Sequence, residues 1–345
     1  MNERPNLIRY PFATPPAEGA AVQVADGVLW FRLPLPMKLD HVNCYALDDG
    51  DGWTVIDTGM ASTRTRAIWE QLLAGPLAGR PVNRLIVTHH HPDHVGLAGW
   101  FIARGAALWM PRTAWLTARM LILDVQVTAP PESVQFYRRA GMDPDLLARR
   151  MADRPFNFAD CVDPLPLGYS RLVEGQMIQI GGRDWVVRMG DGHAPEHATF
   201  WSTDGALVIG GDQLLPSISP NLGVYPTEPD ADPVADWIAA CTRLAPHATP
   251  DQLVLPGHKL PFTGLPLRLR QMIDNHHSAL TRLQAALTEP LTAAGCFAPL
   301  YKREIGAGEY GLALVEAVAH LNHLHQLGRV RRWLRDDGAW LWQAV

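Results

Sequence analysis

The chain contains 345 residues, of which 47% are hydrophobic and 19% are charged, and its formal net charge is −5. This composition is typical of a soluble protein with a large interior. The acidic net charge argues against general electrostatic binding of nucleic acid, although it does not exclude a local basic patch. No apolar run reaches the length of a membrane span, and residues 1–9 lack the apolar core of a signal peptide. The length favours one large domain plus an appendage.

The four cysteines are far apart in the sequence and form no Cys-x-x-Cys pair: Cys44, Cys161, Cys241 and Cys296. This spacing favours buried, reduced thiols over disulfides or metal ligands. We therefore expect a cytoplasmic protein with no membrane partner.

The first part of the chain is predicted to be rich in strands. Alternating or apolar β-branched runs predict strands at residues 27–34, 42–47, 53–57, 84–88 and 106–110. The segment 48–52 (Asp-Asp-Gly-Asp-Gly) predicts a hairpin turn, and Ser62 is a candidate N-cap for a helix that runs to about Leu73. Residues 95–104 have helical periodicity.

Residues 113–165 then hold helical segments that Pro and Gly interrupt. Strands return at residues 177–180, 185–189, 199–201, 207–209 and 253–255, so the helical block reads as an insertion into a β-rich domain. We expect it to form a lid over the functional site, which Trp115, Met120 and Tyr137 would make apolar, favouring an acyl or aromatic substrate. A helical packing layer remote from the site is the alternative.

The character of the chain changes again after Pro261. Helices are predicted at residues 265–287 and 311–327, and residues 330–342 read as a hairpin that turns at Asp336-Asp-Gly338. Helices followed by a two-stranded wing suggest a small winged-helix-like module. Its arginines are expected on a solvated or interface surface, with contact to nucleic acid as the less favoured alternative.

The heptapeptide Thr88-His-His-His-Pro-Asp-His94 carries the chemistry. Its spacing fits a turn that directs His89 and His91 toward one centre and Asp93 and His94 toward another. Because an apolar strand precedes the motif and a helix follows it, these side chains should lie at the carboxyl end of a strand.

Three later strands are each followed by a glycine-containing loop with one further ligand-capable residue. These residues are His193, Asp212 and His258. Each alone is weak evidence, whereas three in series after the histidine motif indicate a metal site with two centres.

These motifs, with Val55-Ile-Asp-Thr-Gly59 upstream, resemble the metallo-β-lactamase superfamily on its glyoxalase II-like side, over about residues 20–262. The resemblance implies an α/β fold, a four-layer αββα sandwich with a dinuclear site at one edge. It implies one metal held by His89, His91 and His193, a second held by Asp93, His94 and His258, and Asp212 as the bridge. It places Asp57 behind the site and His197 outside the ligand set. The expected domains are 1–262, with the insertion at 113–165, and 263–345.

The chain departs from two branches of the family. True β-lactamases lack the bridging aspartate, so Asp212 argues against antibiotic hydrolysis. The glutathione-binding basic residues of glyoxalase II enzymes have no counterpart that we can place here. The redox relatives need a flavin domain, which we do not expect here.

We therefore predict a hydrolase with two divalent metal ions, zinc first and iron or manganese as alternatives. A hydroxide that bridges the metals would attack the carbonyl of a small molecule, a thioester, ester or lactone, while Asp93 orients the nucleophile and carries its proton and Asp212 holds both ions. The alternative is a phosphodiesterase or endoribonuclease with the same site, which the winged-helix-like tail favours and the lack of a basic signature disfavours. A metal-bearing scaffolding protein is the weakest hypothesis. The twelve tryptophans and the apolar C-terminal tail are compatible with a homodimer.

Overall fold

The computed structural model describes residues 7–345. The prediction that no signal peptide is present concerns residues 1–9, most of which lie outside the described residues. Among the described helices, none combines the length and the apolar character that crossing a membrane requires. All four cysteines are free and buried, as predicted.

A seven-stranded sheet keeps the order of the chain across its width. Its strands are β1 (Val22–Ala25), β2 (Val28–Pro34), β3 (His41–Asp48), β4 (Trp53–Ile56), β5 (Val82–Ile86), β6 (Ala107–Pro111) and β7 (Ser170–Leu172). The predicted hairpin is confirmed, because β3 and β4 are antiparallel with Tyr45 opposite Ile56. From β4 to β7 the strands are parallel, and each connection crosses over the sheet.

A five-stranded sheet has the order β12-β11-β10-β9-β8. Its strands are β8 (Met177–Ile180), β9 (Arg183–Gly190), β10 (His197–Ser202), β11 (Leu207–Gly211) and β12 (Leu253–Pro256). The pairs from β8 to β11 are antiparallel, whereas β11 and β12 are parallel. The parallel pair brings the carboxyl ends of β11 and β12 to the same edge.

Two hydrophobic cores lie on opposite faces of the first sheet. Successive residues of β2 show why: Trp30 packs with Trp185 and Phe200 of the second sheet, whereas Phe31 packs with Trp69 among the helices. Side chains alternate between the faces of a strand, so a sheet buried on both faces needs nearly continuous apolar residues. The layers in this part of the chain are therefore helix, sheet and sheet.

The helices associated with this core are α1 (Thr63–Ala74), α2 (Pro92–Val95), α3 (Ala98–Ile102) and α4 (Arg112–Leu123). Ser62 caps α1 as predicted, since its hydroxyl accepts the backbone N–H of Thr65 at 3.0 Å.

The helical periodicity of residues 95–104 corresponds to α3, but a short separate helix, α2, precedes it, and the chain breaks between them at Gly96 and Leu97. The Leu97 N–H donates to the Thr58 hydroxyl at 3.0 Å, and the Thr58 N–H donates to the His94 carbonyl at 2.9 Å. Thr58, from a loop distant in sequence, thus forms hydrogen bonds with the His94 carbonyl and the Leu97 N–H, which a continuous helix would use for its own backbone hydrogen bonds.

The remaining helices are α5 (Pro131–Arg139), α6 (Pro144–Ala152), α7 (Pro233–Leu244), α8 (Leu265–Ala286), α9 (Phe297–Tyr301) and α10 (Tyr310–Gln326). A hairpin of β13 (Val330–Leu334) and β14 (Trp340–Ala344) follows, and the Arg335 N–H donates to the Ala339 carbonyl across its turn. The elements predicted after residue 261 are present, whereas α7 was not predicted. The winged-helix-like character of this region stays a prediction.

The chain forms two compact units. The first comprises the chain up to Val125, Asn157–Pro220 and Leu244–Leu269, and the second comprises Gln126–Phe156, Asn221–Arg243 and Arg270–Val345. The segment 113–165 is therefore shared, with α4 in the first unit and both α5 and α6 in the second. The domain boundary after residue 262 and the lid over the site stay predictions.

Candidate metal centre

The histidine-rich loop connects β5 to α2 at the carboxyl end of a strand in the first sheet. His89 lies in this loop, His91 is the N-cap residue of α2, and His94 lies within that helix. The parallel strands β4, β5 and β6 end at the same edge. This is the edge at which α/β sheets usually hold their ligands, as the sequence predicted.

Asp57 anchors the loop from behind. Its carboxylate accepts the Thr88 backbone N–H and the Thr88 hydroxyl, each at 2.8 Å, and lies 2.8 Å from His94 Nδ1. Asp57 is 2% exposed and has a left-handed φ of 61° directly after β4. A left-handed backbone conformation is unfavourable for a residue other than glycine, so the surrounding hydrogen bonds must hold Asp57 in it.

The three downstream residues each follow a strand of the second sheet. His193 comes after β9, Asp212 directly after β11, and His258 shortly after β12. Gly257 permits the close approach of the last two strands, because a Cβ atom there would overlap the Asp212 carboxylate.

One group contains three histidines. His91 Nδ1 lies 3.0 Å from His89 Nε2 and 3.0 Å from His193 Nε2. The three nitrogen atoms lie within 4.8 Å of one another, a spacing that can surround one ion.

A second group contains Asp93, His94 and His258. Asp93 Oδ2 lies 3.6 Å from His94 Nε2 and 3.4 Å from His258 Nε2. These ligand atoms also lie within 4.8 Å of one another.

Asp212 lies between the two groups. Its Oδ2 atom is 3.4 Å from His193 Nε2 and 3.1 Å from His258 Nε2, while Oδ1 is 3.4 Å from His94 Nε2. All seven residues singled out in the sequence are thus brought together, from loops of both sheets.

Hydrogen bonds orient the imidazole rings. The Thr88 hydroxyl donates to Asp57, so its oxygen can accept from His89 Nδ1, which lies 3.0 Å away. That tautomer leaves a lone pair on His89 Nε2. In the same way, His258 Nδ1 lies 2.7 Å from the His41 carbonyl, an acceptor only, which leaves Nε2 to face Asp93 and Asp212.

The charges of the site call for cations. Burial lowers the pKa of His89 and His91 well below its usual range, so both rings are neutral ligands at neutral pH. Burial also opposes protonation of His258, yet Asp212 and Asp93 raise its pKa to about 10. One buried and one partly exposed carboxylate, Asp212 and Asp93, therefore attract positive charge strongly here.

Two buried polar atoms at the centre have no hydrogen-bond partner, His94 Nε2 and Asp212 Oδ1. Such atoms are costly unless something satisfies them. Five imidazole nitrogens and two carboxylates suit zinc or a neighbouring transition metal. The residues present therefore fit a pair of divalent ions.

Two further histidines support the site without belonging to the ligand groups. His197 Nε2 accepts the Asp212 N–H at 3.0 Å, and its ring stacks on His89 with centroids 4.5 Å apart. Sequence reasoning left His197 outside the ligand set and missed His41 entirely. His41 contributes a backbone carbonyl to a residue 217 positions away, for which the sequence has no local signal.

Comparison with known proteins agrees with this geometry. Residues 37–258 match the family model described as the metallo-beta-lactamase superfamily, and residues 280–345 match the metallo-beta-lactamase-like C-terminal domain. A probable metallo-hydrolase of Bacillus subtilis (strain 168) is 25% identical over 316 residues, which is 87% of this chain and 92% of the relative.

Solved structures show the same fold. A beta-lactamase domain protein from Burkholderia ambifaria is 36% identical, with a TM-score of 0.89 and 98% of each chain covered. A metallo-beta-lactamase family protein from Thermus thermophilus is 25% identical, with a TM-score of 0.78 and 94% of this chain and 100% of that chain covered.

These matches confirm the predicted family and fold class, whereas the glyoxalase II-like assignment stays a prediction. Proteins of this superfamily typically bind divalent metals, for which the His/Asp groups are the candidate ligands in this chain. The chain belongs to the metallo-beta-lactamase superfamily, as a metallo-hydrolase with a C-terminal metallo-beta-lactamase-like domain.

Proposed function

We propose that this metallo-hydrolase uses two divalent metal ions to hydrolyse a small-molecule thioester, ester or lactone. The observation that carries the dinuclear assignment is the Asp212 carboxylate, which has one oxygen within 3.4 Å of His193 and 3.1 Å of His258. A carboxylate between two groups of ligands is the arrangement that a shared pair of ions requires.

The assignment of ligands follows from the two groups. His89, His91 and His193 would hold one ion, Asp93, His94 and His258 the other, and Asp212 would bridge them. We expect zinc, with iron or manganese as alternatives, because imidazole and carboxylate ligands suit all three. When bound, such a pair of ions lowers the pKa of water toward neutrality and polarises a carbonyl oxygen.

Asp93 is the residue best placed to accept the proton of the attacking water. Its side chain is 19% exposed, whereas the side chains of His94 and His258 are 0% and 2% exposed. Burial raises the pKa of Asp93, but His94 and His258 outweigh it and hold the pKa below its usual value. Asp93 is therefore an ionised base that solvent reaches.

An apolar helix begins next to the ligand loop. The Glu196 carboxylate, three residues after His193, accepts the backbone N–H of Thr113 near the start of α4. α4 carries Leu116 and Met120, which are 51% and 48% exposed. This surface supports an acyl or aromatic substrate.

Two basic side chains on β7 and β9 lie close to carboxylates and are therefore less available to bind phosphate. Arg171 lies 3.6 Å from Glu196, and Arg188 lies 4.0 Å from Glu174. The net charge of −5 points the same way. These observations favour a neutral carbonyl substrate over a phosphodiester.

The test is a substrate panel with the purified, metal-loaded protein. Thioesters and lactones are assayed beside bis-p-nitrophenyl phosphate and single-stranded RNA. We expect turnover of one or more acyl substrates, and rapid cleavage of the phosphodiesters without acyl hydrolysis would overturn the proposal in favour of a phosphodiesterase or endoribonuclease.

The Asp212→Ala variant tests the bridge. We expect the metal content to drop toward one ion per chain and turnover to be lost, as measured by elemental analysis and initial rates. Asp184→Ala, an exposed aspartate in β9, is the matched control and should keep both. Two ions and full activity in Asp212→Ala would refute the bridging role.

A further inference from the structure

We propose that the second unit contains a binding site for a small planar monoanion, an aromatic carboxylate in chemical class. The site is a cavity of about 180 Å³ whose walls come from α5, residues 226–230, α10 and the β13–β14 hairpin. An apolar cavity of roughly 150 Å³ is known to hold benzene. The volume therefore suits one aromatic ring with a small substituent, and none of the seven candidate metal ligands lines it.

Flat side chains form the wall of the cavity. The guanidinium of Arg139 lies 5.4 Å from the ring centroid of Trp340, and that of Arg332 lies 4.9 Å from the same centroid. Trp342 and Phe136 complete an aromatic lining. Aromatic and guanidinium faces favour a flat ligand, since a planar ring stacks on such a face more closely than a puckered ring of equal size.

The lining also contains buried polar atoms without partners. Trp342 and Asn322 are each 2% exposed, and both Trp342 Nε1 and Asn322 Oδ1 lack a hydrogen-bond partner. The amide nitrogen of Asn322 donates to the carbonyls of Pro229 and Ala231, each at 3.0 Å, which fixes the orientation of its oxygen. Because both residues line the cavity, an unpaired donor and an unpaired acceptor lie within its wall, where a bound polar group could pair with them after a small side-chain shift.

The charged side chains that line the cavity are compatible with the binding of one singly charged anion. Arg332 is neutralised by Asp230 at 2.8 Å, whereas Arg139 makes no ion pair with any described residue. Glu132 lines the cavity but is exposed to solvent. One unpaired guanidinium suits one carboxylate, while two acidic residues at the lining disfavour a polyphosphate or a nucleic acid strand.

The probe is benzoate, with titration followed by calorimetry and by tryptophan fluorescence on the metal-loaded protein. Cyclohexanecarboxylate tests planarity, benzamide tests charge, and inorganic phosphate tests for a site that recognises charge alone. We expect saturable binding of benzoate and at least about tenfold weaker binding of the other three, because each lacks one feature of the site.

Arg139→Met removes the unpaired guanidinium and keeps the length of the side chain. It should weaken benzoate binding at least about tenfold. Arg138→Met is the matched control, since Arg138 precedes it on α5, is exposed and does not line the cavity. Trp340→Leu removes the stacking surface and should also weaken binding, which keeps the test informative if either variant folds poorly.

Asp212→Ala separates this site from the metal centre, where a carboxylate could also bind. Benzoate affinity at the proposed site should be unchanged in this variant. No saturable binding of benzoate, equal binding of cyclohexanecarboxylate or phosphate, equal losses in Arg138→Met and Arg139→Met, or loss of binding in Asp212→Ala would each overturn the proposal.

Discussion

Replacement of Asp57 by asparagine should weaken the binding of one metal ion selectively. The carboxylate of Asp57 accepts three hydrogen bonds, two from Thr88 and one from His94 Nδ1, all at 2.8 Å. An asparagine side chain has one oxygen for the Thr88 backbone N–H, so its NH₂ group must face both the Thr88 hydroxyl and His94 Nδ1. The asparagine NH₂ group and a protonated His94 Nδ1 would then both be donors facing each other. The His94 ring therefore adopts the tautomer with its proton on Nε2.

That change of tautomer removes the lone pair that His94 offers to the second ligand group. Loss of a residue that orients a metal ligand typically lowers metal affinity about 10–100-fold. The corresponding loss of binding free energy is about 1.4–2.8 kcal/mol. The first group, His89, His91 and His193, should keep its affinity within a few fold because its ring contacts with Asp57 are indirect, through Thr88.

The measurement is a two-site zinc titration in competition with a chromophoric chelator. Asp48→Asn is the matched control, because Asp48 accepts two hydrogen bonds from Arg80 at 2.8 and 2.9 Å in a hairpin turn without contacting a ligand. We expect one weakened site in Asp57→Asn and two unchanged sites in Asp48→Asn. Equal affinities for both ions in Asp57→Asn would refute the tautomer argument, and loss of both sites together would show that Asp57 supports the loop as a whole.

Two further predictions concern packing and pH. In Gly257→Ala the new Cβ atom overlaps the Asp212 carboxylate and lies 2.9 Å from His94, so we expect loss of bound metal and about 1–3 kcal/mol of destabilisation by elemental analysis and thermal unfolding. Gly168→Ala, which meets no atom within 4 Å, is its control, and a fully metallated, equally stable Gly257→Ala would contradict the packing argument. Burial raises the pKa of Glu316 to about 7, against hydrogen bonds from Tyr301 and Asn221. The folded state therefore holds its proton more tightly than the unfolded state, so this residue's contribution to stability should fall as pH rises from about 4.5 to 7, and Glu316→Gln should gain about 2–3 kcal/mol relative to the wild type over that range. Denaturant unfolding at several pH values measures this, Glu304→Gln is the control, and a pH-independent difference would contradict the assignment.

Local patterns in the sequence were sufficient for most of the elements. The Ser62 cap, the turn at residues 48–52 and the strands of both sheets reflect backbone sterics and side-chain alternation over a few residues, which the chain encodes directly. The candidate ligands could also be found, because each lies in a loop that follows a predicted strand, and α/β proteins usually hold their ligands in such loops.

Other features depended on contacts between distant segments. Thr58 accepts a hydrogen bond from Leu97 at the break between α2 and α3, and the periodicity of residues 95–104 does not reveal this break. The His41 carbonyl orients His258, and no pattern near either residue marks that pair. The placement of α5 and α6 in the second unit likewise follows from packing and not from composition.

The sequence by itself determined which side chains are able to bind metal and at which strand ends they lie, because those properties depend on residue type and short-range geometry. Only the tertiary structure decided which nitrogen of each ring faces the centre, that Asp212 lies between the two ligand groups, and that Trp342 and Asn322 keep unpaired atoms in the wall of one cavity. These features arise from hydrogen bonds and packing between residues far apart in the chain, which form together when the sheets and helices assemble.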